Sequence, residues 1–132
     1  MESYRDLIAW QKGMDLVVAV YAASQKLPDS ERFGLISQLR RAAVCVPSAL
    51  AEGHARSATK EFVRYVSIAM GSLAEVETQL MICTRLDMLE DDTMKPILQL
   101  CDEQNRILRG LKKSLTARLG SNSPLAPRPS PL

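Results

Sequence analysis

Apolar residues recur at alternating steps of three and four along two long stretches of the chain. One carries Leu35, Leu39, Ala42, Val46 and Leu50; the other carries Phe62, Val66, Ala69, Leu73, Val76, Leu80 and Cys83. That period lines each set along one side of an α-helix and does not suit a strand, where alternate residues share a face. Only the turn-like Gly53-His54-Ala55-Arg56-Ser57 separates them. The two helices therefore fold back on each other, and the rest of the chain has to complete the core that they begin.

The flanking stretches read the same way. A first helix is expected from Ser3, with Asp6 as capping-box partner, and with Leu7, Trp10, Met14, Val17 and Tyr21 as its seam. Leu27-Pro28-Asp29-Ser30 stops it and offers a cap to the second helix, which Pro47 is expected to bend by deleting one backbone hydrogen bond. Ser57 or Thr59 is the expected cap of the third helix, and Asp91-Asp92 that of the fourth. Pro96 is expected in the fourth helix's first turn, with Ile97, Cys101, Leu108, Leu111 and Leu115 as seam to about Leu119. Four helices of about twenty to twenty-seven residues with short connections make an all-α, antiparallel up-down-up-down four-helix bundle. The bundle is assigned to residues 1–119. Residues 120–132, with four prolines in the last nine positions, read as a disordered tail.

At 132 residues the chain suffices for one core and not two. Its three cysteines, Cys45, Cys83 and Cys101, lie in apolar surroundings without Cys-x-x-Cys spacing. They read as buried, reduced thiols of a cytoplasmic protein. The first residues lack the basic-then-apolar build of a signal peptide, and the charge-free runs are about half the length of a membrane span, so no membrane partner is expected.

A second pattern lies beside the seams. On the second helix Gln38, Arg41, Cys45, Ser48 and Glu52 form a small, polar stripe; on the third, Ile68, Gly71, Glu75 and Thr78 do the same. A tight turn near residue 56 sets position 41 opposite about 71, so Arg40 or Arg41 is expected near Gly71, Ser72 and Glu75. Gly71 would then admit a close helix approach, and an Arg–carboxylate pair would fix the register. Ile8, Val18, Ile36, Val44, Met70, Met81 and Ile82 fall on other faces, an apolar excess that self-association would cover.

No catalytic, cofactor or metal constellation is found, and no enzyme activity is expected. A di-iron bundle needs Glu-x-x-His on two helices, whereas His54 is the single histidine. Glu75 and Glu77 are two apart and point to different sides of their helix. Charge distribution says more than the net charge of +2. Asp87 to Glu103 holds six acids and one lysine, whereas Gln104 to Leu119 holds Arg106, Arg109, Lys112, Lys113 and Arg118 and no acid. With Arg56, Lys60 and Arg64 near the second turn, these residues are the nucleic-acid-binding candidates. A solvated helix end fits the same pattern. Neither patch shows an aromatic residue for stacking on bases.

Pro28, Glu31, Gly34-Leu35, Gln38 and Arg41-Ala42, then Ala51-Glu52-Gly53, Phe62, and Ala69, Gly71-Ser72-Leu73 and Glu75 stand as ordered blocks. They resemble the bacterial 23S rRNA intervening-sequence proteins, a family of four-helix bundles related to the accessory variability determinant proteins of diversity-generating retroelements. Ala49-Leu50 stand where that family usually has Asn-Ile. The resemblance implies a homopentamer. It also implies a basic surface for RNA or DNA and, in the retroelement branch, a reverse transcriptase as protein partner. A non-catalytic oligomeric scaffold is the function it implies, and a protein-protein adaptor that binds no nucleic acid is the alternative.

Overall fold

The structure, a computed structural model, describes residues 3–121, and within them four α-helices follow one another: α1 Ile8–Ser24, α2 Leu35–Ala55, α3 Thr59–Arg85 and α4 Asp91–Ser121. Each packs against its neighbours in sequence, and α1 closes the ring against α4. The bundle is the antiparallel one expected. Its last helix continues through Gly120 and Ser121, two residues beyond the assigned boundary, and the remainder of the proline-rich tail lies outside the described residues.

The stripes of α2 and α3 are the core. Leu39, Ala42, Val46 and Leu50 meet Val66, Ala69, Leu73, Val76, Leu80 and Cys83, all buried, while Leu35 and Phe62 cover the ends half-buried. α4 adds Ile97, Cys101, Leu108 and Leu115. It also adds Gln104, which is fully buried and whose Nε2 donates to the Ala9 carbonyl at 2.8 Å. α3 is long and apolar enough to cross a membrane by length and composition alone. However, its apolar stripe faces the core, and Glu75 and Glu77 stand near its middle, where a bilayer would penalise them.

α1 departs from expectation. Ser3 caps only a 3-10 turn, Tyr4–Asp6, by accepting from the Arg5 N–H; the α-helix starts at Ile8 after Leu7, without Asp6 as a box partner. Its buried side is Ala9, Gly13, Leu16, Val20 and Ala23, whereas Met14 and Tyr21 of the expected seam are exposed. The reason is the small residues. A Cβ on Gly13 would stand 3.3 Å from the Pro47 side chain and 3.5 Å from Gln104 Nε2, so α1 presses its smallest residues onto α2 and α4. Larger apolar side chains are left outside, Val18 at 69% and Ile8 at 61% exposure.

The connections explain several sequence blocks. After a 3-10 turn at Asp29–Glu31, Glu31 Oε1 reaches forward to accept from the Leu35 N–H at 3.1 Å, capping α2 from outside it. Gly34 makes this possible: a Cβ there would lie 2.7 Å from that same oxygen. α2 runs through His54 to Ala55, so the turn to α3 is only Arg56–Ala58. Ser57 holds a left-handed φ of 63°, and Ala58, not Ser57 or Thr59, is the uncapped N-terminal residue. α3 ends with Asp87 at φ 57°, where the Met88 N–H returns to the Cys83 carbonyl at 2.9 Å and the Asp87 N–H to Thr84 at 3.0 Å. These are the paired bonds of a Schellman stop. Asp91 and Asp92 are the first two residues of α4 and not its cap, since the helix is entered from Glu90, whose carbonyl accepts from the Thr93 and Met94 N–H; their charge still suits the positive helix end. Pro96 is the sixth residue of that helix rather than one of its first turn.

Candidate functional site

The cations singled out in the sequence fall into two settings. At the α2–α3 turn, Arg56 is held on several sides. Its Nη2 donates to Glu52 Oε2 at 3.0 Å and to the Tyr65 hydroxyl at 2.9 Å; that hydroxyl donates on to Glu52 Oε2 at 3.1 Å. Glu61 stands 4.0 Å from Arg56 and 3.8 Å from Arg64. The hydrogen bond from Arg56, then that from Tyr65, holds the Glu52 carboxyl below its ordinary pKa; Glu52 in turn raises that of Arg56. Tyr65 also corrects the expectation of no aromatic residue in this patch, since the Arg56 and Arg64 guanidinium groups lie 5.3 and 5.4 Å from its ring centroid. Lys60 is exposed beside this network.

Gly53 is what brings Tyr65 there. A Cβ on Gly53 would come within 2.5 Å of Tyr65 Cβ, so the missing side chain lets the ring lie against α2 and its hydroxyl reach Glu52. The Ala51-Glu52-Gly53 block is thus a local device, one residue supplying the acceptor and the next the room. The close approach expected at Gly71 is absent: Gly71 is exposed, and a Cβ there would meet nothing within 4 Å.

On α4 the setting is open. Arg106, Arg109 and Lys113 recur at three and four residues and are exposed, with half-buried Lys112 beside them. None of the four has an ion-pair partner among the described residues. Two nearby acids are otherwise engaged, Glu103 with Lys12 at 3.3 Å and Glu77 with the Asn105 amide at 3.0 Å, while Asp102, one turn before Arg106, makes no ion pair with it. Arg109, Lys112 and Lys113 border a shallow depression of about 550 Å³ with Met70, Thr116 and Ala117. Arg118 is not part of this group. It lines a separate cavity with His54, Phe62 and Leu111 at the α2–α3 turn, where the His54 ring meets Phe62 edge-on at 5.7 Å.

The polar stripe also divides. Gln38, Arg41, Cys45, Ser72, Glu75 and Gln79 line one groove between α2 and α3, so Arg41 does come to the Glu75 region. Both are exposed, however, and no ion pair joins them. Arg40 turns the other way, toward α1; its Nε donates to Ser24 Oγ at 2.7 Å and its guanidinium lies 4.5 Å from the Tyr21 ring centroid. Glu52 belongs to the turn network instead. Sequence reasoning missed Tyr65, Gln79 and Gln104. For Tyr65 the signal was Gly53, a small residue just before a short turn, with Tyr65 within reach on the far side of that turn.

Among the described residues, no three His, Cys, Asp or Glu side chains gather as a metal site. All three cysteines are unpaired, with Cys83 and Cys101 buried. Burial, with Glu77 and Asp102 adding to it, pushes the Cys101 thiol up to about 12, and burial first and Glu31 second raise Cys83.

The fold is shared with a crystal structure from Bacteroides thetaiotaomicron VPI-5482, described as a protein of unknown function from the S23 ribosomal protein family. The two superpose with a TM-score of 0.74 at 18% identity, over 80% of this chain and 99% of that one. No functionally curated protein matches the chain. The sequence blocks from Glu31 to Glu75, the bundle they build and a family model matching residues 5–110 together place the chain in the 23S rRNA-intervening sequence protein family.

Proposed function

We propose that the chain is a non-catalytic, self-associating cytoplasmic scaffold that binds nucleic acid along α4, through Arg106, Arg109, Lys112 and Lys113. One observation carries this reading: four cations on one helix have no ion-pair partner among the described residues, and Glu103 and Glu77 beside them are bound elsewhere. Such a stripe is matched by a row of phosphates, whose counterions its binding releases. The half-buried Met70 and the small Ala117 between the cations leave the surface low enough for a backbone to lie along it. The family description, with its reference to ribosomal RNA, points the same way.

The test is fluorescence anisotropy of a labelled structured RNA and a labelled DNA duplex at about 50 and 200 mM salt. Four phosphate contacts give a slope near −3.6 for duplex DNA, hence about a hundredfold weaker binding over that range. A salt-independent affinity, or none at 50 mM, would overturn the reading. The adaptor alternative draws on a different observation, the exposed apolar residues of α1, Ile8, Met14, Val18 and Tyr21. A protein partner retained after nuclease treatment would favour it.

A further inference from the structure

A separate cavity lies at the end of the bundle where α2 turns into α3. It measures about 370 Å³, within the roughly 300–1,000 Å³ of ligand sites. Leu7, Phe62 and Leu111 line it, and the His54 ring, edge-on to Phe62, stands beside them. The three apolar side chains come from three segments: the entry to α1, α3 and α4. Ser57, Ala58 and Thr59 form part of the rim, where α3 begins without a side-chain cap. Arg118 completes the lining, three residues before α4 ends at Ser121. The chain therefore leaves the bundle within one helical turn of this cavity.

We propose that this cavity seats the chain's own Pro124-Leu125-Ala126-Pro127 segment in extended form. Residues 122–132 lie outside the described residues, and reach is what first selects this occupant. Between Ser121 and Leu125 an extended chain spans up to about 14 Å, enough to turn back to a cavity lined by Arg118. Composition selects it next. Prolines cannot continue α4, and an extended proline-rich segment needs no hydrogen bonds of its own while it packs on apolar and aromatic side chains. Leu125 is the first large apolar residue after Leu119, and the segment carries no charge to oppose Arg118. Its backbone carbonyls are acceptors without internal donors, which the uncapped start of α3 can supply. The tether adds to this. A short linker holds the segment at an effective concentration of about a millimolar, so even a contact of that modest affinity is about half-filled. Pro124 and Pro127 also form a Pro-x-x-P pattern, which this seating uses within the chain instead of offering it to another protein. None of this depends on nucleic-acid binding.

The experiment is nuclear magnetic resonance of the full chain carrying a nitroxide on Ser130→Cys, in a Cys45→Ala background that leaves only the buried thiols Cys83 and Cys101. The amides of Gly53, His54 and Thr59 should lose at least about half of their intensity relative to the reduced label. The same label in a chain that also carries Leu125→Asp should leave those signals strong. Leu125 lies beyond α4, so this substitution spares the bundle, as circular dichroism would show. In the unlabelled chain, Leu125→Asp should also move the Phe62 and Leu111 resonances. Broadening confined to the last turn of α4, or broadening that Leu125→Asp leaves in place, would overturn the docking. Labelled chains mixed with unlabelled, isotope-enriched ones should leave the enriched signals sharp. Broadening passed from one copy to another would overturn the seating within a single chain.

Discussion

The α2–α3 turn and the second half of α4 look alike as strings of basic residues, and they are opposites as surfaces. At the turn, Arg56 is held by Glu52, Glu61 and the Tyr65 hydroxyl, and Arg64 stands beside Glu61, so much of the positive charge is answered within the fold. On α4, Arg106, Arg109 and Lys113 are exposed, Lys112 is half-buried, and none of the four has an ion-pair partner among the described residues. Counting cations along a chain measures supply, and what decides availability is which acids the neighbouring helices bring within reach. Most surface ion pairs add little to stability, but they do withdraw a cation from a ligand.

That contrast can be tested directly. The largest effect is expected from replacing Arg109, Lys112 and Lys113 together by Gln. RNA affinity at 50 mM salt should fall by about two to three orders of magnitude, and the slope for duplex DNA should become shallower by about 2.7. The matching triple replacement of Arg56, Lys60 and Arg64 should change affinity less than about tenfold; equal losses would erase the distinction. Next comes Gly53→Ala, which drives a Cβ into Tyr65 and should cost about 1–3 kcal/mol by overpacking, read as a lowered Tm. Gly71→Ala has the opposite sign, a gain of up to about 1 kcal/mol, because an exposed helix position with open space only benefits from a better helix former. A Gly71→Ala loss comparable to that of Gly53→Ala would mean that the close approach had been placed on the wrong glycine.

Tyr65→Phe removes the hydroxyl from both Arg56 and Glu52 and should raise RNA affinity slightly, by less than about threefold, as Arg56 gains freedom. Acid should do the same. The Glu52 carboxyl is depressed in the folded protein, so its contribution is complete above the ordinary carboxylate range and fades as pH falls through its lowered folded value. Arg56 is then released, and binding at the turn should strengthen on acidification in the wild type and not in Glu52→Gln. A pH response that persists in Glu52→Gln would assign it elsewhere.

The helical order and the cores of α2 and α3 were legible because large apolar residues at helical spacing leave one solution. α1 was not, because apolar residues occupy most of its sides and the deciding positions are the small ones, Ala9 and Gly13, which a search for large side chains passes over. Arg41 was placed near Glu75 correctly, since register follows from a short turn. Whether the two would touch depends on side-chain directions that spacing does not encode. Gly71 and Gly53 were equally glycine in the sequence, and only the opposing Tyr65 separates their roles. Gln104 was hidden for a related reason, a polar residue at a core position whose partner, the Ala9 carbonyl, lies 95 positions away.

That long reach has a kinetic consequence. The α2–α3 hairpin is closed by three residues, whereas the clasp between α1 and α4 brings together nearly the whole chain. Contacts of small sequence separation form early and distant ones late, so the seam between α1 and α4 is the last to be secured. The amide protons of these two outer helices should exchange faster than those of α2 and α3. A helix that detaches as a unit can also be traded between neighbouring copies, so this chain carries within its own order of assembly a route to strand-free domain exchange.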